Sequence, residues 1–193
     1  MLIGDPAVFA IESGITEAYR ELGLRALGYF VIHVTSRCYG CMAPDSSLLA
    51  CSYDEVVRRV SRRGQHVAPF ALTGDAYDIA SAFRNAIYAD DSTYSTYFGM
   101  PRDAFATLIY SNEIVWAPDG DEAFDDGSYV LQFDVDTRVR LIAFKSTIGY
   151  LPDKGSVSDI WMSNSQYYDI LIKWRTAFEL EWNRLLAMKS QQD

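Results

Sequence analysis

Three cysteines are the residues whose type and spacing most resemble a chemical site. Cys38 and Cys41 form a Cys-x-x-Cys pair, and Cys51 follows further along the chain. Such a pair can take part in thiol–disulfide exchange, or it can bind zinc if Cys51, His33 or His66 completes a tetrahedral set. Structural zinc sites usually contain a second close ligand pair, which this sequence lacks. We therefore interpret the cysteines as ordinary reduced thiols, with a small thiol- or zinc-dependent protein as the alternative.

The two histidines offer little general-base chemistry. His33 lies within an apolar segment, where a hydrogen-bonded structural histidine is expected. His66 follows Arg-Arg-Gly-Gln in a predicted loop, and no neighbouring serine or cysteine forms a recognisable nucleophile pair with it. The Gly-x-Ser-x-Gly, phosphate-binding glycine-loop and His-Glu-x-x-His motifs are absent from the sequence. We expect a protein that is not an enzyme and has no catalytic residue, metal or cofactor.

Acidic residues are concentrated in one short segment beside the aromatic residues Trp116 and Phe124. They are Asp119, Asp121, Glu122, Asp125 and Asp126. Like charges this close repel one another, which costs stability unless a positive group binds them. The spacing lacks the terminal glutamate of an EF-hand calcium loop. We predict that these five residues and Trp116 form a binding surface for a basic protein, with a solvated loop as the alternative.

Four arginines fall at the end of a predicted helix. They are Arg58, Arg59, Arg62 and Arg63. Cations near the C-terminus of a helix interact favourably with its dipole. We therefore predict that this basic cluster is a solvated helix end.

The pattern of apolar residues predicts both strands and helices. Strands are expected at 7–11, 27–34 and 107–116, and the second should be covered on both faces. Two further strands, Ser128–Val135 and Arg138–Lys145, should form a hairpin around Asp136-Thr137.

Apolar residues three and four apart predict helices at 53–63, 75–89 and 165–188. Ser52 is the expected N-cap of the first helix. The last helix carries an aromatic stripe that must be buried for the helix to be stable. We predict an α+β fold in a single domain over 1–193, with an antiparallel-rich sheet, packed helices and a long C-terminal amphipathic helix.

The composition is that of an acidic folded protein. Its 193 residues carry 17 Lys and Arg against 26 Asp and Glu, a formal charge of −9. The resulting pI near 4.7 opposes nucleic-acid binding. The longest nearly unbroken apolar run, Ala26–Val34, is too short to span a bilayer. Residues 1–9 lack the basic start of a secretory signal, and sparse cysteine suits a reducing compartment. We expect a cytoplasmic protein that binds neither nucleic acid nor membrane.

Three parts of the sequence together resemble a known family. The first is the opening Met-Leu-Ile-Gly-Asp-Pro, followed by Phe-Ala-Ile at 9–11. The second is Asp-Gly-Ser-Tyr-Val-Leu-Gln-Phe-Asp at 126–134, followed by Val-Arg-Leu-Ile-Ala-Phe at 139–144. The third is the helix at 168–182 with its Tyr, Trp and Trp. These strings resemble the immunity protein 42 family of bacterial polymorphic toxin and contact-dependent growth inhibition systems. The region 38–51 is not part of the resemblance.

The resemblance implies that the protein is an antidote made in the cytoplasm beside a toxin gene. It would bind the C-terminal domain of its cognate toxin and block it by stoichiometric occlusion, without catalysis. Many delivered toxins are nucleases, whose clefts are basic because they hold phosphate backbones. An acidic segment flanked by aromatic residues would suit such a cleft or a surface beside it.

Overall fold

The computed structural model describes residues 1–89, 95–118, 120–146, 149 and 151–191. Its strands, in chain order, are β1 (Leu2–Asp5), β2 (Phe9–Ala18), β3 (Ala26–Val34), β4 (Arg37–Tyr39), β5 (Ser47–Leu48), β6 (Thr96–Tyr97), β7 (Met100–Pro101), β8 (Val115–Ala117), β9 (Ser128–Val135), β10 (Arg138–Lys145) and β11 (Ser158–Ser163). Its α-helices are α1 (Ala50–Ser61), α2 (Ala76–Tyr88), α3 (Arg102–Ser111) and α4 (Asn164–Lys189). Across these ranges, no helix combines the length and apolar character needed to cross a bilayer.

The predicted hairpin forms the middle of an antiparallel sheet with the strand order β11-β10-β9-β8. Val135 of β9 pairs with Arg138 of β10, and Asp136 in the turn between them has a φ of 53°. Aspartate tolerates this left-handed conformation better than most residues do. Alternate residues of β9 enter two different cores, with Val130 on one face and Phe133 on the other. This sheet is therefore covered on both faces.

A second antiparallel sheet has the order β1-β2-β3-β4, with β5 also paired to β3. Strand β3 confirms the strand predicted at 27–34, but the expected cover on both faces is only partial, because Leu27, Tyr29 and His33 are half-buried. The strand predicted at 7–11 is longer, because β2 continues to Ala18. Strand β1 was not predicted. It is an edge strand that pairs with β2, and most of its residues are exposed, so no pattern of buried residues marks it in the sequence.

Helices α2 and α4 lie close to their predicted positions. Helix α2 begins after Asp75, whose carboxylate accepts hydrogen bonds from the backbone N–H groups of Tyr77 at 2.9 Å and Asp78 at 3.3 Å. Helix α4 begins after Ser163, whose hydroxyl accepts from the N–H of Gln166 at 3.2 Å. Such caps satisfy N–H groups that have no partner within the helix, so local sequence marks both starts.

Helix α1 starts earlier than predicted, and the assignment of Ser52 as its N-cap is wrong. The helix begins at Ala50, after Leu49, without a side-chain cap. The Ser52 hydroxyl instead donates to the carboxylate of Asp121 at 2.5 Å. A contact between segments far apart in sequence has therefore replaced the expected local cap.

The strand predicted at 107–116 is also wrong over most of its length. Residues Arg102–Ser111 form helix α3, and only Val115–Ala117 forms strand β8. Phe105 and Ile109 are fully buried on one face of α3, in the core that it shares with α2. Burial of that helical face outweighs the local β propensity of the aromatic and β-branched residues.

Two hydrophobic cores lie on opposite faces of the β8–β11 sheet. One is shared with α2 and α3, and the other with the β1–β5 sheet, α1 and α4. In the second core, Trp174 of α4 meets Phe30 of β3 edge to face, with ring centroids 5.1 Å apart. The aromatic stripe of α4 is thus buried, and the predicted α+β class is confirmed. Helix α1 and edge strand β8 flank the acidic part of the chain.

Candidate partner-binding site

The acidic part of the chain is an ordered turn between β8 and β9, and residues 120–126 are called the acidic segment below. The carboxylate of Asp121 accepts from the N–H of Ala123 at 2.9 Å and caps the 3₁₀ helix Glu122–Phe124. The N–H of Cys41 donates to the Ala123 carbonyl at 2.7 Å, which ties the segment to the chain after β4. These bonds fix the backbone that carries the neighbouring acidic side chains.

Asp121 is buried, and neutral donors hold its carboxylate. It is 8% exposed and accepts hydrogen bonds from the Ser52 hydroxyl at 2.5 Å and the Ser47 hydroxyl at 3.1 Å. Within the part of the chain that the structure describes, it forms no ion pair with a lysine or arginine. Its oxygens are therefore hydrogen bonded, but its negative charge is not paired with a cation.

The other predicted acidic residues differ in exposure. Glu122 and Asp125 are exposed to solvent. Asp126 is half-buried and pairs with Lys145 at 2.5 Å, which offsets its charge. Asp119 lies outside the described residues. Two carboxylates of the segment are thus presented directly on the surface.

Trp116 is 2% exposed, yet it and Asp121 both line a pocket of about 310 Å³ between α1 and the acidic segment. This pocket is called the acidic pocket below. Its other lining residues are Cys51, Asp54, Glu55, Arg58, Pro118 and Phe124. Trp116 and Asp121 are therefore reachable only through this opening.

Sequence reasoning missed the two carboxylates that α1 contributes to the acidic pocket. Asp54 has a side chain that is 68% exposed and pairs with Arg25 at 3.2 Å. Glu55 is nearly buried, and its carboxylate accepts from Arg58 and, at 2.5 Å, from Arg59. Nothing in the local sequence marks the approach of α1 to a segment so far along the chain. The charge of Glu55 is offset by two arginines and that of Asp54 by Arg25, whereas Asp121 has no such partner among the described residues.

The pKa of the Cys51 thiol reflects the burial and the negative charge around the acidic pocket. Burial raises the pKa of its thiol, and the carboxylates of Asp121, Asp54 and Glu122 raise that pKa further, in decreasing order. A reactive cysteine requires the opposite shift, because the thiolate is the nucleophile. Cys51 therefore stays protonated at neutral pH.

The structure gives no support to the thiol- or zinc-dependent alternative. Cys38, Cys41 and Cys51 are free thiols, and burial is also the main cause that raises the pKa of Cys38. The described residues contain no group of three or more His, Cys, Asp or Glu side chains that could hold a metal ion. Zinc sites need such a set, generally of four ligands.

A second group of titratable side chains lies inside the fold. It is called the buried polar cluster below and consists of Glu55, Arg59, His66, Gln132, Asp134, Tyr167 and Tyr168. Arg59 is fully buried, so the prediction that it belongs to a solvated helix end is wrong. Its guanidinium donates to Glu55, to the Glu113 carbonyl at 2.6 Å and to the Val115 carbonyl. Arg59 thereby joins α1 to Glu113, which precedes β8, and to Val115, the first residue of β8.

His66 is also fully buried and is held neutral within this cluster. Its Nδ1 lies 3.0 Å from the carbonyl oxygens of Asn112 and Glu113, so it donates to them. Burial, followed by the nearby Arg59 cation, lowers the His66 pKa, and Asp134 opposes that shift. Because His66 and Arg59 have no exposed surface, a substrate cannot reach them. The cluster therefore stabilises the fold and is not an open site.

Two exposed apolar residues directly follow residues that are hydrogen bonded to the acidic segment. Met42 follows Cys41, which is bonded to the acidic segment, and Leu48 follows Ser47, which is bonded to Asp121. Met42 is 51% exposed and Leu48 is 36% exposed. Apolar contacts surrounded by charged groups are typical of protein–protein interfaces.

Comparison with known proteins gives a matching family and a similar solved structure. No curated protein sequence matches this chain. Among solved structures, the chain is similar to the crystal structure of CdiI from Burkholderia dolosa AUO158, with a TM-score of 0.57 and 14% sequence identity over 92% of this chain and 99% of that one. At this identity the likeness establishes a shared fold. The sequence profile described as Immunity protein 42 matches residues 1–177. The chain belongs to the immunity protein 42 family.

Proposed function

We propose that this immunity protein binds the C-terminal domain of a cognate toxin in the cytoplasm and neutralises it by one-to-one occlusion, acting as a single domain and without catalysis. The family match over residues 1–177 carries this proposal. An antidote of this kind needs a stable surface that complements its target, and it needs no reacting groups of its own. The acidic segment and the acidic pocket offer such a surface.

The charge of the chain favours a basic partner surface. A formal charge of −9 raises the rate of encounter with a positively charged domain. Enzymes that cleave nucleic acids carry positive clefts for phosphate, so a nuclease toxin fits this charge. Occlusion of such a cleft would exclude its substrate directly.

Within the proposed interface, the predicted residues have different tasks. Glu122 and Asp125 are exposed and meet the partner directly, together with Asp119 and the partly offset Asp126. Trp116 and Asp121 contribute through the acidic pocket, which they line, and Asp121 also holds the segment in place through its hydrogen bonds. Met42 and Leu48 supply apolar contact beside these charges.

Titration calorimetry against the toxin C-terminal domain encoded beside this gene tests the proposal. We expect one-to-one binding with a nanomolar Kd, about −12 kcal/mol. The double variant Glu122→Ala/Asp125→Ala should weaken binding about tenfold, mainly through a slower association rate. The matched control is Glu181→Ala, which removes a carboxylate with a half-exposed side chain on α4. Absence of wild-type binding at micromolar concentrations would contradict the function, and equal losses in both variants would contradict the site.

A further inference from the structure

We propose that the acidic pocket receives one arginine side chain of the bound partner. This inference rests on the proposed function and identifies the contact that anchors the partner. It assigns a role to the pocket itself, separate from the exposed carboxylates of the acidic segment.

The size of the acidic pocket suits one side chain. Its volume of about 310 Å³ lies at the lower end of the range of about 300–1,000 Å³ that is typical of ligand sites. The pocket opens between α1 and the acidic segment. A long side chain can therefore enter while the surrounding surfaces make contact. Anchors of this kind in desolvated pockets dominate the energy of many interfaces.

The walls of the pocket combine aromatic rings with carboxylates. Trp116 and Phe124 line it together with Asp54 and Asp121. A guanidinium group donates several hydrogen bonds in one plane, which a lysine ammonium cannot do. Arginine is also enriched among the residues that contribute most to binding. The lining therefore favours arginine over lysine.

One carboxylate of the pocket lining, Asp121, has no ion-pair partner among the described residues. Arg58 and Arg59 bind Glu55, and Arg25 binds Asp54, so these two carboxylates of the lining already have cations. Asp121 is more than nine-tenths buried, and all its hydrogen bonds come from neutral hydroxyl and N–H donors. A buried carboxylate gains most from a nearby cation, because little water screens the interaction. An incoming guanidinium would supply the missing positive charge.

A lysine placed in the pocket wall tests this inference. Cys51→Lys adds a cation where the partner arginine would enter, and Cys51→Ser keeps the size of the native side chain. We expect Cys51→Lys to raise the Kd for the toxin C-terminal domain at least about tenfold and Cys51→Ser to leave it within about twofold. Ile172→Lys is the control for net charge, because Ile172 is 40% exposed on α4, and it should change the Kd less than about threefold.

Replacement of each toxin arginine by alanine then identifies the side chain. One such replacement should weaken binding to the wild-type protein about tenfold or more and should have little further effect on binding to the Cys51→Lys protein. Wild-type affinity for Cys51→Lys, or coupling to a lysine and to no arginine, would overturn the inference while leaving the proposed function intact. Absence of binding by the wild-type protein would overturn both.

Discussion

The buried polar cluster and the acidic pocket use similar residues in opposite ways. In the cluster, the Arg59 cation and the Glu55 carboxylate are paired, and the charge of Asp134 is surrounded by internal donors that include Tyr168 and two backbone N–H groups. In the pocket, Arg25 pairs with Asp54 and Arg58 with Glu55, while Asp121 has no ion pair among the described residues. Glu55 belongs to both, since it lines the pocket and binds the arginines. Asp134 and Asp121 are both held by neutral donors, but only Asp121 lines a described pocket. A buried carboxylate with no opening beside it therefore serves the fold, whereas one that lines a pocket can also meet a partner's cation.

Loss of Arg59 should have the largest effect on stability. Arg59→Ala leaves the Glu55 carboxylate and two backbone carbonyls without their buried donor. Removal of one member of a buried ion pair costs about 3–5 kcal/mol. Chemical denaturation should therefore show a loss of this size in the free energy of unfolding. Arg184→Ala is the matched control, because it removes an exposed i,i+3 pair with Glu181 and should cost less than about 0.5 kcal/mol. Similar losses for both variants would show that the cluster does not stabilise the fold.

Loss of the Tyr168 hydroxyl should have the next largest effect. This hydroxyl donates to the Asp134 carboxylate at 3.0 Å and accepts from Gln132 at 2.8 Å. Tyr168→Phe keeps the ring packing but leaves buried polar groups with fewer partners, which costs about 1–3 kcal/mol. Tyr110→Phe, at a site that is 57% exposed, should be neutral in the same denaturation experiment. A neutral Tyr168→Phe variant would contradict the proposed importance of this network.

His66 should make stability depend on pH. Its pKa is lowered in the folded state, so the unfolded chain takes up a proton at a higher pH than the folded chain does. The contribution of neutral His66 is complete above its ordinary pKa of 6.5 and is lost as the pH falls from there towards the folded pKa. One proton gives a slope of up to about 1.4 kcal/mol per pH unit.

Denaturation curves between pH 7.5 and pH 5 (roughly the range in which histidine titrates) measure this slope. His66→Gln lacks the titrating group and should show a shallower dependence than the wild-type protein. Equal slopes in the two proteins would assign the acid sensitivity to carboxylates elsewhere.

The exposed carboxylates of the acidic segment should affect stability least. Glu122→Gln/Asp125→Asn removes two surface charges and should change the free energy of unfolding by less than about 0.5 kcal/mol, since surface substitutions of this kind are nearly neutral. Thermal denaturation of the free protein measures this change. A large loss of stability would mean that these residues serve the fold, which would remove the contrast between the two regions.

The sequence predicted those parts of the fold that local signals specify. The β9–β10 hairpin follows from two strand-like runs around a turn, and α2 and α4 begin at capping side chains. The start of α1 and the helical state of Arg102–Ser111 did not follow, because contacts with distant residues decide both.

The candidate site was only partly visible in the sequence, for the same reason. The acidic segment could be identified from its composition, but the contribution of Asp54 depends on the approach of α1 to that segment. Arg59 lies four residues after Glu55, a spacing that allows an ion pair on a helix. That spacing was the one available signal for the buried polar cluster, and it does not distinguish a buried pair from an exposed one.

Hydrogen–deuterium exchange of the protein with and without the toxin C-terminal domain shows whether the partner binds at the acidic segment, because it compares the two regions in one experiment. We expect binding to slow exchange in α1 and in the residues around the acidic segment, while cluster amides outside α1, such as those of His66 and Asp134, change little. Protection at another surface would contradict this expectation. The clearest such result would be slower exchange in the groove lined by Val8, Trp161 and Ile170 with none at the acidic segment.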